Sequence, residues 1–282
     1  MKTINISKQK YNGLELLELH KSIVGTEAQM YIFNYLNQLK LFKRLYSTNG
    51  IYFANKLYTL EMIKNYKNLF PSSFVVPDAI VSVAGTIKGF TVPYVNGINL
   101  KTLLDNSKIN NDEKLLYLKK IGVVLDKMKD VRNHTELDDF YINDLHENNF
   151  MIDPISKKIY VIDVDSIKIA GNQSFASRYL TSNSLYIKNN KNQIKINEKS
   201  DLYCYSTCIL NFLYKEKTNT FTIEEYFEYL NYLESLNINK ELMNFFETSI
   251  SPASTINPYP YLESLTDSQI GRASSNVYKI VR

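Results

Sequence analysis

The sequence predicts an α+β chain in two lobes, a small antiparallel sheet carrying one helix followed by a larger helical lobe. Three observations predict it. Short apolar runs bounded by turns crowd the first third of the chain, a single stretch of helical period interrupts them, and helical spacing dominates after Gly97. The division places residues 1–95 in the first lobe and 96–282 in the second, joined near 93–97, as one bilobal unit.

Gln29-Met30-Tyr31-Ile32-Phe33 and Leu39-Lys40-Leu41-Phe42-Lys43 are short strand candidates. Residues 77–83 and 87–95 flank Ala84-Gly85-Thr86, the pattern of a hairpin turn. Between these pairs, Phe53, Leu57, Leu60, Ile63 and Tyr66 recur at spacings of three and four, which predicts a helix over 52–69. Asn110 with Glu113 forms a capping-box pattern ahead of Leu115, Leu118, Ile121, Leu125 and Met128, and Thr222 with Glu225 repeats it before Tyr226, Phe227 and Leu230. Phe150-Met151-Ile152 and Ile159-Tyr160-Val161-Ile162 are two further short strands, and the polar, aperiodic stretch 166–200 reads as a long loop.

Composition narrows the class. Hydrophobic residues at 44% and charged residues at 22% over 282 positions describe an ordered globular chain. No run reaches the roughly 18 to 20 apolar residues of a membrane helix. The start, Met1-Lys2-Thr3-Ile4-Asn5, has no signal-peptide core, so a cytoplasmic protein without a membrane partner is expected. The net charge of +4 is spread over scattered lysines, whereas a nucleic-acid binder concentrates its cations on one face; no nucleic-acid partner is expected. Cys204 and Cys208 lie four apart in an apolar segment and read as reduced core thiols on one helical face.

The chemistry concentrates in two segments. Asp144 and Asn149 stand in Asp144-Leu145-His146-Glu147-Asn148-Asn149, and Asp163 follows 14 residues after Asn149 in Val161-Ile162-Asp163-Val164-Asp165. That separation is a strand hairpin, which would bring Asn149 and Asp163 to one mouth. Two hard oxygen donors there suit magnesium, which takes few protein groups and completes its shell with phosphate and water. Asp144 is then free to orient or deprotonate an attacking hydroxyl.

At these residues the sequence resembles the protein-kinase-like superfamily, in particular bacterial-type serine/threonine protein kinase domains. The Asp-x-x-x-x-Asn of 144–149 is similar to the catalytic loop, and Ile162-Asp163-Val164-Asp165 to the metal-binding segment. Lys43, in Leu41-Phe42-Lys43, stands where the third-strand lysine belongs, and Glu61 stands 18 residues later on the intervening helix. Ser200-Asp201-Leu202-Tyr203-Cys204 resembles the start of the large lobe's central helix, whose aspartate anchors the catalytic-loop backbone. The resemblance covers residues 14–265. It implies a bilobal kinase fold with ATP and Mg2+ as cofactors. It further implies Asp144 as the catalytic carboxylate, Lys43 on the phosphates with Glu61 as its ion-pair partner, and Asn149 and Asp163 on the metal. Gly25 would belong to the phosphate-covering loop, Thr91 would guard the inner pocket, and Pro93, Tyr94 and Val95 would offer backbone groups to adenine.

The departures are informative. The segment Ile23-Val24-Gly25-Thr26-Glu27-Ala28 keeps one glycine of the family's three. Ile142-Asn143 replaces the family's His-Arg, so no arginine awaits a phosphorylated activation loop, and activity independent of such phosphorylation is expected. His146 replaces the lysine that many serine/threonine kinases use to neutralise the γ-phosphate. No Ala-Pro-Glu closes the activation segment, whose nearest substitute is Phe175-Ala176-Ser177-Arg178-Tyr179-Leu180; its usual arginine partner is also missing from Asn257-Pro258-Tyr259-Pro260-Tyr261. The expected activity is ATP- and Mg-dependent phosphorylation of protein Ser/Thr hydroxyls. The Asp-Leu-His-x-x-Asn form of the loop also looks like aminoglycoside and choline kinases, which leaves a small-molecule kinase, or a nucleotide-binding pseudokinase scaffold, as alternatives. Asp201 follows Asp163 by only 38 residues, compact for the small-molecule type.

Overall fold

The computed structural model describes residues 1–17, 27–173, 175–189, 195–214, 218–251 and 255–270. Gly25 lies outside the described residues. An N-terminal sheet of six strands runs in the order β1-β5-β6-β4-β3-β2, and a three-stranded sheet in the order β7-β8-β9.

In the first sheet, β3 (Ala28–Tyr35) and β4 (Gln38–Leu45) form a hairpin closed by Leu36 and Asn37, both at positive φ. β5 (Ala79–Val83) and β6 (Thr86–Pro93) form another, turned by Ala84 and Gly85 at φ 48° and 78°. Two consecutive left-handed residues match the twist of the flanking strands, which makes these turns tight. The sheet departs from an antiparallel pattern at one edge: β1 (Lys2–Ile6), which was not among the sequence-predicted strands, joins β5 in parallel. β2 (Glu15–Leu16) pairs with the opposite edge, and α1 (Lys8–Asn12) lies between β1 and β2.

The sheet buries both faces. Ile4, Ile6, Phe33, Phe42, Ala79 and Val81 pack on one side with Tyr11 of α1. Ala28, Leu45 and Phe90 pack on the other against Leu60, Leu57 and Phe53 of α2 (Gly50–Tyr66), the predicted interrupting helix. This face positions the site, because α2 is clamped between the sheet and the segments that follow β9.

The second sheet joins β7 (Ile98–Asn99), β8 (Phe150–Ile152) and β9 (Ile159–Val161). After β7 come α3 (Leu100–Asp105) and α4 (Asn111–Arg132), whose Asn110 cap accepts the Glu113 amide at 2.8 Å. The stretch expected to be one long loop contains α5 (Leu185–Asn189) and the start of α6 (Glu198–Tyr214). α6 is apolar on nearly every side and runs through the large core, with Cys204 and Cys208 fully buried as free thiols. α7 (Ile223–Ser235) has the complete Thr222/Glu225 capping box, and α8 (Lys240–Ser249) packs on α6 and α7. Among the described residues no helix is long and apolar enough to cross a membrane.

Candidate active site

Lys43 projects from β4 toward the α2 side of the sheet. Gly89 pairs in the neighbouring strand, where any Cβ would sit 1.9 Å from the Lys43 carbonyl oxygen, so glycine is required for that close approach. Lys43 Nζ lies 2.5 Å from Asp163 Oδ1, and 3.1 and 2.9 Å from the two oxygens of Asp165. Burial alone would lower the Lys43 pKa, but Asp163, Asp165 and Glu27 outweigh it and hold the ammonium well above its ordinary value. Glu61, the expected partner, is exposed. The buried face of α2 consists of Lys56, Thr59, Leu60 and Ile63, and Glu61 falls off that stripe.

Lys56 is the site residue that the sequence reading missed. It is fully buried, with Nζ 2.8 Å from Asp165 Oδ2, 3.0 Å from the Asp165 carbonyl oxygen and 2.8 Å from Glu27 Oε1. Burial pushes the Asp165 pKa up, yet the two ammonium groups of Lys43 and Lys56 overcome it and keep the carboxylate ionised far into acid. Asp163 is raised above the ordinary carboxylate value, first by burial, with Asp165 adding repulsion against the pull of Lys43. Its backbone is left-handed at φ 59°, which turns the chain sharply after β9.

The residues of the Asp-x-x-x-x-Asn loop come from the turn before β8. Asp201, at the N-terminal end of α6, accepts the Ile142 amide at 2.9 Å and the Asn143 amide at 3.0 Å. It is fully buried, and its pKa is pushed up to about 7 by that burial despite both bonds. Asn143 has φ 65° and donates from its side chain to the carbonyls of Ser166 and Phe175, each at 3.2 Å. Asp144 Oδ1 accepts the Arg178 amide at 2.6 Å, and Oδ2 faces Asn149 Nδ2 at 3.3 Å and His146 Nε2 at 3.5 Å. Burial raises the Asp144 pKa, but the contacts with His146, Arg178 and Asn149 outweigh it and leave a carboxylate below its ordinary value. His146 is buried and accepts the Asn148 amide on Nδ1 at 3.2 Å, so it serves the loop as well as Asp144.

Asn149 also donates to the Asp144 carbonyl at 2.9 Å, which turns its Oδ1 away from that contact. The Ile162 amide bonds to the Asn149 carbonyl at 2.9 Å, which sets Asn149 beside the start of the Asp163 turn, as the hairpin spacing predicts. Asn149 and the turn of Asp163 therefore stand at the same end of β8-β9. Among the described residues no cluster of three or more His, Cys, Asp or Glu could hold a metal by itself. A donor set of one amide and one carboxylate oxygen fits magnesium, which keeps its other positions for phosphate and water.

Pro93 ends β6, Tyr94 is exposed and Val95 half-buried in the connection to β7. The register corrects the inner-pocket assignment. Lys43 pairs with Phe90 and Leu41 with Val92, so these share a face; Thr91 pairs with Phe42 on the opposite face and donates its hydroxyl to Asp78. Period-two alternation makes Val92 and Phe90, rather than Thr91, the neighbours of the lysine.

The segment after Asp165 is pinned without an Ala-Pro-Glu. The Tyr179 hydroxyl donates to buried Glu147 at 2.5 Å and accepts from Asn211 of α6 at 3.1 Å. A cavity of about 420 Å³ opens beside Asp144 and Asp163, walled by Lys56, Tyr52, Tyr46 and Phe175.

No protein-family model matches the chain, and no curated protein matches it. Among solved structures, the kinase PK-1 of Cydia pomonella granulovirus is similar with a TM-score of 0.55 at 14% identity, covering 90% of this chain and 94% of that one. The mixed N-terminal sheet and the helical C-terminal region match a kinase fold. In fold, the chain is similar to this kinase, and the likeness extends over most of both chains.

Proposed function

We propose that the chain is an ATP- and Mg2+-dependent phosphotransferase acting on protein Ser/Thr hydroxyls, without need of activation-loop phosphorylation. The observation that carries the reading is the convergence of Asp144 and Asp163 on one cavity, with Lys43 bonded to Asp163 and Asn149 bonded to Asp144. Magnesium and the nucleotide would bring the reactive phosphoryl group and neutralise its charge. Lys43 would hold phosphate oxygens by its ammonium, and Asn149 and Asp163 would hold the metal. Asp144, ionised at neutral pH, accepts the hydrogen bond of the attacking hydroxyl and orients it, receiving its proton late in transfer. Asn143 occupies the place of the phosphate-binding arginine and bridges Ser166 to Phe175 directly, which supports independence from loop phosphorylation.

The aromatic cavity walls favour one second reading, a small-molecule acceptor seated beside Asp144. Transfer of γ-phosphate from ATP, measured with generic protein substrates and with water, tests the first. Wild type is expected to form phosphoprotein, and Asp144→Asn to lower kcat by about 10²–10⁴-fold with ATP binding intact. Tight Mg-dependent ATP binding without protein phosphorylation would move the assignment to a small acceptor or a scaffold. Absence of ATP binding would sink the reading.

A further inference from the structure

A lysine on the buried face of a helix is costly unless its ammonium is fully paired. Lys56 is paired on every side: Asp165 twice, Glu27, and the ring of Phe175 with its centroid 4.0 Å away. The same Asp165 carboxylate takes both its oxygens to Lys43, at 3.1 and 2.9 Å. One buried acid therefore bridges the ammonium of β4 to the ammonium of α2. Glu61 cannot take this role, since five residues on a helix place it about 140° around from Lys56.

We propose that Asp165 and Lys56 together replace the strand-to-helix lysine–glutamate pair, Asp165 fixing Lys43 and Lys56 acting as the positioning residue that ties Asp165 to α2. The proposal rests on the phosphotransferase reading and deepens it. The usual order of charges, positive strand and negative helix, becomes positive strand, negative metal-binding segment, positive helix. Because Asp165 lies two residues beyond Asp163, the bridge joins the phosphate-holding lysine, the metal-binding turn and α2 in one network. Its continuation along α2 is polar: Asn55 exchanges two hydrogen bonds with the Gln173 backbone, Tyr58 donates to the Ala170 carbonyl, and Thr59 accepts from Asn172. The helix cannot swing away from the segment without breaking all of these. The seam thus holds the site assembled where other members of the fold use a phosphorylated loop.

The test uses the full chain as wild type, Asp165→Asn, Asp165→Gly, Lys56→Glu and the double variant Lys56→Glu/Asp165→Gly. The double variant moves the carboxylate from the segment to the helix and restores a single strand-lysine to helix-acid pair. Each single variant is expected to lose about 100-fold in kcat, and the double to recover at least about tenfold over either, a rescue that lost packing alone would not give. Thermal melts identify any variant that fails to fold. A second readout needs no turnover: acetylation of Lys43 by acetic anhydride, mapped by mass spectrometry, is expected to accelerate about tenfold in Asp165→Asn, where the ammonium loses the acid that takes it at 2.9 and 3.1 Å, and to slow again in the double. Unchanged Lys43 reactivity in Asp165→Asn overturns the proposal, as does a double variant no better than the singles in both readouts. Wild type that transfers no phosphate, together with Lys43 unmasked in Asp165→Asn, leaves the bridge standing and defeats the phosphotransferase reading instead.

Discussion

Asn143 combines two demands that no other residue type meets as well. Its φ of 65° lies in the left-handed region, which asparagine tolerates, and its amide satisfies the carbonyls of Ser166 and Phe175 inside a buried site. Asn143→Gly keeps the backbone at ease but removes both bonds, so urea unfolding should show a loss of about 2 kcal/mol. Asn143→Ala adds left-handed strain of about 1–2 kcal/mol to the same loss. Equal losses in the two variants would refute the conformational part of the argument. Other single positions were less legible in sequence. Asp144, Asn149 and Asp163 stood out only through their order and spacing together with Lys43 and Asp201, since Asp-x-x-x-x-Asn by itself occurs in many loops. Lys56 did not, since a lysine is presumed to face water, although its register with Thr59, Leu60 and Ile63 was there to be read. Thr91 was misassigned for want of a pairing register, and a one-residue shift in a strand reverses the face.

Elements carry different signals. α2 was legible because its apolar period of three and four is sustained over four turns, whereas β1, α1 and β2 are two to five residues long, and tertiary pairing decides such pieces. The 166–200 stretch shows no regular apolar period: Ile167, Ile169, Tyr179, Leu180 and Leu185 enter the core at irregular intervals, and hydrogen bonds fix the chain between them. Those bonds make a prediction for the α2 seam. Asn55→Ala removes the reciprocal pair with Gln173, worth about 1 kcal/mol, but gains several tenths of a kcal/mol in helix propensity. Global stability should therefore change little. Local opening should not: hydrogen exchange at the Gln173 amide is expected to quicken several-fold, while the Ile169 amide, held by Asn172 at 3.0 Å, keeps its protection. Uniform exchange across 165–173 in the variant would mean that the seam opens as one unit and that Asn55 is no separate latch.

At the scale of the whole molecule, one acid couples the helical core to the loop that carries Asp144. Asp201 rises with α6 out of the core and holds the amides of Ile142 and Asn143, so its charge state bears on both. Arg132 lowers its pKa and Glu198 raises it, with Tyr141, Tyr186 and Cys204 also within electrostatic reach, yet burial dominates and takes it to about 7. A carboxyl whose pKa rises on folding binds its proton more tightly in the folded chain. Its contribution is present in full below the unfolded value near 4 and is lost as pH climbs to about 7, above which it changes no further. A rise of about three units corresponds to roughly 4 kcal/mol across that window, large against the 5–15 kcal/mol of a typical domain. Asp201→Asn removes the titration while keeping one acceptor oxygen. It is expected to be less stable than wild type at pH 5, where the protonated acid is at no disadvantage, and to close that gap by pH 8. Chemical denaturation of both proteins from pH 5 to 8 reads the difference directly. Parallel curves would show that the two amide bonds keep Asp201 ionised throughout, and that the loop is held by a permanent charge.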